Sequence, residues 1–275
     1  MRLKPRRRRF MLITGGSGFL GQHLSIASEA EGWELFAPPS TMIDVRQRER
    51  VIEEITSWRP TAIVHLAYRK GERSTIVEGS RNIAEVAEIC GARMVHVSSD
   101  AIFPGRPEPY REYDKPFPIT DYGVMKLEAE RAVIAECPSA VLVRTSLLYG
   151  TRRLGHVQRD VEMAVTGRKA MRFFTDEYRC PAHAGDVGAA LSSLAARPDI
   201  RGPLNVAGPE SISRADLAAV FARWMGFDPR ALSTGSMALS GTIRPAHVVL
   251  DTTLATSLGL GCRPMSETLR QHPVG

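Results

Sequence analysis

A doubly wound parallel α/β sheet is predicted from two observations. Short apolar, β-branched runs alternate with longer helical stretches through the first half of the chain, and a glycine-rich turn follows the first run. Residues 10–14 read as a strand, 20–30 as a helix, 33–37 as a second strand and 47–58 as a polar helix. A third strand at 62–66 leads into a helix over 76–89, and a fourth at 94–98 precedes a long helix over 121–136. Residues 140–144 give a fifth strand. Continuous apolar runs of this kind suit strands covered by helices on both faces, which with the glycine turn makes a Rossmann-like domain.

After Gly150 the rhythm loosens. Helices are predicted over 156–165, 186–196 and 213–224, with strands near 171–174 and 204–206. Ser213 stands where an N-cap is wanted and Gly226 where a helix stops. The remainder, rich in Ser, Thr, Gly and Pro, suits a small lid with short helices. The expected organisation is a basic tail over 1–9 and a nucleotide-binding domain over 10–150 with later returns near 170–206. A small, discontinuous substrate domain takes most of 151–275.

The 275 residues are enough for a sizeable core, and 43% hydrophobic with 24% charged residues is ordinary for a globular protein. No run reaches the roughly 18 apolar residues of a membrane helix, so no membrane partner is expected. The net charge of +6 is local. Six of the 36 basic residues fall within the first nine positions, which leaves 30 to set against 30 acidic ones. A neutral body offers no nucleic-acid face. The run Arg7-Arg8-Arg9 superficially resembles an export signal, but the apolar stretch after it is broken by Gly15, Gly16 and Gly18. Cys90, Cys137, Cys180 and Cys262 lie far apart without paired metal-ligand spacing, which suits reduced thiols in a cytoplasmic protein. No metal site is expected, since His156, His183 and His247 also follow no ligand spacing.

Gly15, Gly18 and Gly21 occupy the turn from the first strand to the first helix, in the run Thr14-Gly15-Gly16-Ser17-Gly18-Phe19-Leu20-Gly21. Glycines there permit a sharp turn and bring backbone N–H groups against a pyrophosphate. The second strand ends without the acid that holds the 2′-hydroxyl of NAD. Ser40 and Thr41 follow it instead, hydroxyls that accommodate a 2′-phosphate, so NADP(H) is preferred over NAD(H). Asp44, in Ile43-Asp44-Val45, is placed either to hold an adenine edge or to cap the next helix.

Tyr122 and Lys126 form a second constellation. Spaced i, i+4 on the first turns of a helix, they put phenol and ammonium on one face. A nearby positive charge favours the phenolate and lowers the tyrosine pKa, so the phenol can shuttle a proton. Ser98-Ser99-Asp100 closes the fourth strand, and the carboxyl ends of parallel strands are where such folds hold ligands. A serine hydroxyl there can bind a carbonyl that the tyrosine protonates. His65 ends the third strand and reads as packed rather than catalytic.

These residues resemble those of the extended short-chain dehydrogenases/reductases, and most of all the dTDP-4-dehydrorhamnose reductase and sugar-nucleotide-binding family. The likeness runs through Thr14 to Gly21, Ile43 to Val45, His65 to Tyr68, Val97 to Asp100, Tyr122 to Lys126 and Arg144 to Gly150. Later echoes are Arg179-Cys180-Pro181, Asp186, Asn205 to Gly208, Arg244-Pro245 and Leu250-Asp251. The resemblance implies Gly15, Ser17, Gly18, Phe19, Leu20 and Gly21 along the pyrophosphate, Asp44 and Val45 at the adenine, and Leu66, Ala67 and Tyr68 beneath the cofactor. It makes Ser99 the catalytic hydroxyl, Tyr122 the proton donor, and Lys126 the group that holds the nicotinamide ribose and depresses the tyrosine pKa. Two positions depart from the family: Ala101 replaces a frequent tyrosine and Leu147 a tryptophan, both on the substrate side.

Ser99, Asp100, Leu147, Arg179 and Arg244 are therefore the candidate substrate residues. Arg179 and Arg244 read equally as a diphosphate clamp or as ion pairs bracing the small domain. The expected function is NAD(P)H-dependent reduction of a keto group on a nucleotide-linked deoxysugar or a similar polar carbonyl. The competing readings are a sugar-nucleotide epimerase or dehydratase with retained NAD, and a non-catalytic NADP-binding partner subunit. A homodimer is compatible with these features and not required by them.

Overall fold

The computed structural model describes residues 9–271, so all of the tail expected over 1–9 except Arg9 lies outside the described residues. Arg9 belongs to the fold rather than to a tail. Its guanidinium lies 4.8 Å from the centroid of the Trp33 ring and donates to the Glu31 carbonyl at 3.1 Å.

The first half alternates as expected: β1 (Phe10–Thr14), α1 (Phe19–Ala30), β2 (Glu34–Phe36), α2 (Arg48–Trp58) and β3 (Ala62–His65). A wide π turn at Ser74–Glu78 leads into α3 (Gly79–Cys90), then β4 (Arg93–Ser99), a short 3-10 turn at Asp100–Ile102, α4 (Asp121–Glu136) and β5 (Val141–Thr145). The second half carries β6 (Leu148–Tyr149), α5 (His156–Val165), β7 (Arg172–Phe174), β8 (Tyr178–Arg179), β9 (Ala182–His183) and α6 (Ala184–Ala195). It ends with β10 (Gly202–Asn205), β11 (Ile212–Ser213), α7 (Arg214–Trp224), β12 (Ser233–Gly235), α8 (Thr253–Ser257) and α9 (Met265–Gln271).

The central sheet is parallel throughout, in the order β2-β1-β3-β4-β5-β10. Its period-two alternation separates two apolar layers. Met11 and Ile13 face Leu24 of α1 with Val187 and Leu191 of α6. Leu12 faces the other way, toward Val51 and Ile55 of α2, Ile83 and Val86 of α3 and Val133 of α4. From β1 the chain builds outward in both directions, so the order reverses between β1 and β3, where Thr14 lies opposite His65. Ligands of open α/β sheets bind at the carboxyl ends of such a pair.

β10 completes the sheet beside β5, as a return near residue 204 requires. β7 does not return: it pairs with β12 in a separate two-stranded sheet. Phe173 instead packs in a third cluster, with Tyr149, Val161 of α5, Phe221 of α7 and Leu269 of α9. The hydroxyl of Ser213 caps α7 by accepting from the Asp216 N–H at 3.0 Å, and Gly226 follows with φ of 81°. Among the described residues no helix is long and apolar enough to cross a membrane.

Candidate active site

Two adjoining cavities open at the switch point, sharing Leu20, Leu66, Ala67 and Tyr68 as common walls. The outer one, of about 440 Å³, runs from the glycine turn past Ser40 to Asp44 and Val45. Gly15 adopts φ of 73°, and a Cβ there would stand 2.8 Å from the Ala67 nitrogen, so only glycine lets the turn lie this close to the end of β3. Gly18 is the N-cap of α1, which has no side-chain cap and no acid in its first turn. The first-turn N–H groups, at Phe19, Leu20 and Gly21, therefore meet no capping side chain among the described residues, a geometry able to receive an anion.

Asp44 does not cap α2, whose N-cap is Gln47. Its carboxylate instead accepts from the Arg46 backbone N–H at 3.0 Å and from the Arg46 guanidinium at 2.9 and 2.6 Å. That pairing holds the Asp44 pKa below the usual carboxylate value. Arg46 also reaches Glu72 at 2.9 Å, and with Arg69 it lines the outer cavity beside Ser40. Neither arginine is evident from the sequence, because Arg46 sits in an irregular turn and Arg69 is distant along the chain. The Val45 carbonyl is fixed by the Asn82 amide at 2.9 Å.

The inner cavity, of about 220 Å³, brings Ser99, Tyr122 and Lys126 together. Two local devices place them. Thr120 caps α4 by accepting from the Gly123 N–H at 3.2 Å, which sets Tyr122 on the first turn. Ser99 caps the turn after β4, its hydroxyl accepting from the Ala101 N–H at 3.2 Å and lying 3.3 Å from Asp100 Oδ1. Ser99 and the Tyr122 phenol share the wall of this cavity. The Lys126 ammonium is buried and donates to the Val97 carbonyl at 2.7 Å.

The electrostatics correct one expectation. Burial pushes the Tyr122 phenol above its ordinary pKa, and this outweighs the opposing influence of Ser99. The phenol is thus held protonated, not drawn toward phenolate. Lys126 is pulled down to about 8 by the same burial, with Glu130 acting the other way.

Asp100 is buried behind Ser99, its pKa raised by burial, with Ser146 Oγ at 2.7 Å and Arg179 Nε at 3.8 Å. Leu147 packs against the third cluster and lines neither cavity; its neighbours Ser146 and Leu148 line the inner one. Arg179 lies buried in ion pairs with Asp100 and Glu177 and donates to the Pro245 carbonyl at 2.8 Å. Arg244 is half-exposed, 3.8 Å from Glu177. These two arginines brace the loops around β8 and stand outside both cavities. His65 is packed, as expected, between Thr14 Oγ1 at 2.6 Å and Ser80 Oγ at 3.0 Å.

A parallel sheet with a glycine-turn cleft at its switch point and a Ser–Tyr–Lys set beside it defines the class, that of the extended short-chain dehydrogenases/reductases. Residues 8–272 match the family model described as the RmlD substrate binding domain, and the chain belongs to that family. Methionine adenosyltransferase 2 subunit beta of Bos taurus is 30% identical over 292 residues, covering 94% of this chain and 84% of that protein. Among solved structures, a dTDP-4-dehydrorhamnose reductase from Bacillus anthracis in complex with NADP is similar with a TM-score of 0.86. It is 23% identical and covers 98% of this chain and 99% of its own. MoeE5 in complex with UDP-glucose and NAD has a TM-score of 0.78 at 24% identity, covering 95% of this chain and 96% of its own. At these identities both structural likenesses are likenesses of fold.

Proposed function

We propose that the chain is an NAD(P)H-dependent reductase acting on a keto group of a nucleotide-linked deoxysugar or a similar polar carbonyl, with NADPH preferred. One observation carries this reading: Ser99, Tyr122 and Lys126 converge on a cavity that continues into the glycine-turn cleft. The bound cofactor supplies hydride; the protein supplies position and charge. The amides of Phe19, Leu20 and Gly21 hold the pyrophosphate, Asp44 and Val45 flank the adenine, and Ser40 with Arg46 receives a 2′-phosphate. Lys126 binds the nicotinamide ribose. Tyr122 gives its proton to the substrate oxygen while Ser99 Oγ hydrogen-bonds that oxygen. A phenol kept protonated by burial suits this acid role. The relatives crystallised with NADP, NAD and UDP-glucose support the cofactor and the substrate class. The four free cysteines support a cytoplasmic location.

The test is NADPH oxidation with a panel of 4-keto-6-deoxysugar nucleotides. Tyr122→Phe is expected to lower kcat by about 10²- to 10⁴-fold while leaving NADPH affinity within about twofold. No NADPH oxidation with any ketone of the panel contradicts the reading. The Bos taurus relative, a subunit by name, favours a second reading as an NADP-binding partner subunit. A partner subunit would lose nothing on Tyr122→Phe. Purification with stoichiometric NAD would instead favour an epimerase or dehydratase.

A further inference from the structure

Beneath Lys126 the sheet carries a polar row that the proposed chemistry leaves unused. Thr14 on β1, His65 on β3 and His96 on β4 are register partners across three adjacent strands. The two imidazoles stack with centroids 5.5 Å apart and planes inclined by 23°. Ser80 donates to the Ile76 carbonyl at 2.6 Å, so it accepts from His65 Nε2–H, and His65 Nδ1 accepts from the Thr14 hydroxyl. His65 is thereby satisfied as a neutral ring.

His96 is not. It is 1% exposed, yet neither ring nitrogen has a hydrogen-bond partner among the described residues. The buried hydroxyl of Ser98, two residues along the same face of β4, is also unpartnered. Both side chains line the inner cavity with Lys126, whose ammonium gives one hydrogen bond to Val97 and retains two further donors. Buried polar atoms seldom go unpaired, and about 220 Å³ of space lined by several of them is ample for ordered water.

We propose that His96 and Ser98 bind an ordered water in the inner cavity, and that through this water His96 holds Lys126 in place and in its ammonium form. His96 is then a positioning residue for the reaction, a role that rests on the reductase reading. Its neighbourhood fits. Lys126 faces His65 and His96 from the sheet, and Tyr122 and Glu130 from α4, with Glu130 itself tied to Arg144 of β5. Asp100 lies in the turn after β4. Burial and the nearby ammonium hold His65 down to about 3 and His96 well below the usual imidazole value. A neutral acceptor therefore faces a charged lysine across the neutral range.

The ammonium persists below its pKa of about 8, so losing a partner that stabilises the charged form moves that pKa down. In pH profiles of kcat/KM, His96→Leu is expected to lose about tenfold on the alkaline side and under about twofold on the acid side. His96→Gln, which keeps an acceptor, should retain the wild-type alkaline limb, and Ser98→Ala should move it the same way by less. An unmoved limb in His96→Leu overturns the proposal. So does a uniform loss at every pH that His96→Gln shares. A second readout needs no turnover: in imidazole 15N spectra of the wild-type protein, the His96 resonances should shift with a midpoint near 8, and lose that shift in Lys126→Met. If that titration is seen and no ketone is reduced, the reductase reading fails and the hold on Lys126 stands. If ketones are reduced and His96 shows no such titration, the proposal fails alone.

Discussion

Arg46 is the side chain best placed to tell two nicotinamide dinucleotides apart. It lines the outer cavity beside Ser40, anchored by a bidentate bond to Asp44 and a second bond to Glu72. A guanidinium pre-set by two carboxylates meets a 2′-phosphate with little ordering cost. Arg46→Ala is expected to weaken NADPH about tenfold and NADH less than about twofold, read by isothermal titration. Equal losses for both cofactors would place Arg46 away from the 2′ position. Glu130 and Arg144 set a different demand, since both are buried and joined by hydrogen bonds of 3.0 and 2.8 Å. Glu130→Ala strands the Arg144 guanidinium and should cost about 3–5 kcal/mol in urea unfolding, whereas replacing both by apolar residues should cost far less. Tyr122 and Lys126 were legible in sequence because helix spacing puts them on one face, and the strand end marked Ser98 and Ser99, between which only the family resemblance chose. Arg46, Arg69 and the Glu130–Arg144 pair were not, because irregular turns and the packing of α4 on β5 assemble them.

α4 owes its position to its first turn. The Thr120 cap fixes where the helix begins, and Gly123 lets it rest on the turn after β4: a Cβ there would lie 2.1 Å from the Ala101 carbonyl oxygen. Backbone meets backbone at that contact, so no rotamer change relieves a clash. Gly123→Ala must push the start of α4 away from Ser99 and carry Tyr122 with it. The expected result is a loss of at least about tenfold in kcat, with a stability loss of about 1–3 kcal/mol and NADPH affinity little changed. Full kcat in a folded Gly123→Ala protein would show that the Tyr122–Ser99 spacing is not critical. The helices expected over 121–136 and 156–165 stand where the sequence places them. The helix expected over 76–89 is instead a π turn at Ser74–Glu78 followed by α3, since an apolar pattern does not register one extra residue per turn.

The molecule's two halves are joined where a carboxylate of α6 holds the start of α9. Asp186 accepts from the Arg263 backbone N–H at 2.9 Å and from its guanidinium at 2.6 Å, with His183 Nδ1 at 3.4 Å. α6 packs on the central sheet, while Met265 and Leu269 of α9 pack with Tyr149 and Phe221 in the third cluster. One side chain thus links two apolar layers that also meet along β6, where Leu148 packs against the first and Tyr149 lies in the third cluster. The sequence offered Asp186 only as an echo of a family; its partner is 77 residues away, beyond any local pattern. The hydrogen bonds from His183 and Arg263 outweigh burial and hold the Asp186 carboxyl well below its ordinary value of 3.8. A depressed carboxylate contributes stability that is fully present above the unfolded value and drains away as pH falls through the folded one. Asp186→Asn should therefore be less stable than wild type by about 1–3 kcal/mol near neutrality. The gap should narrow steadily as pH drops below about 4, because the unfolded wild-type chain there takes up a proton that the folded carboxylate does not. Urea unfolding at neutral pH and again near pH 3 measures both halves of that statement. A gap that stays constant between the two conditions would mean that the charge of Asp186 contributes nothing to the joint, and that the backbone geometry around Arg263 holds it unaided.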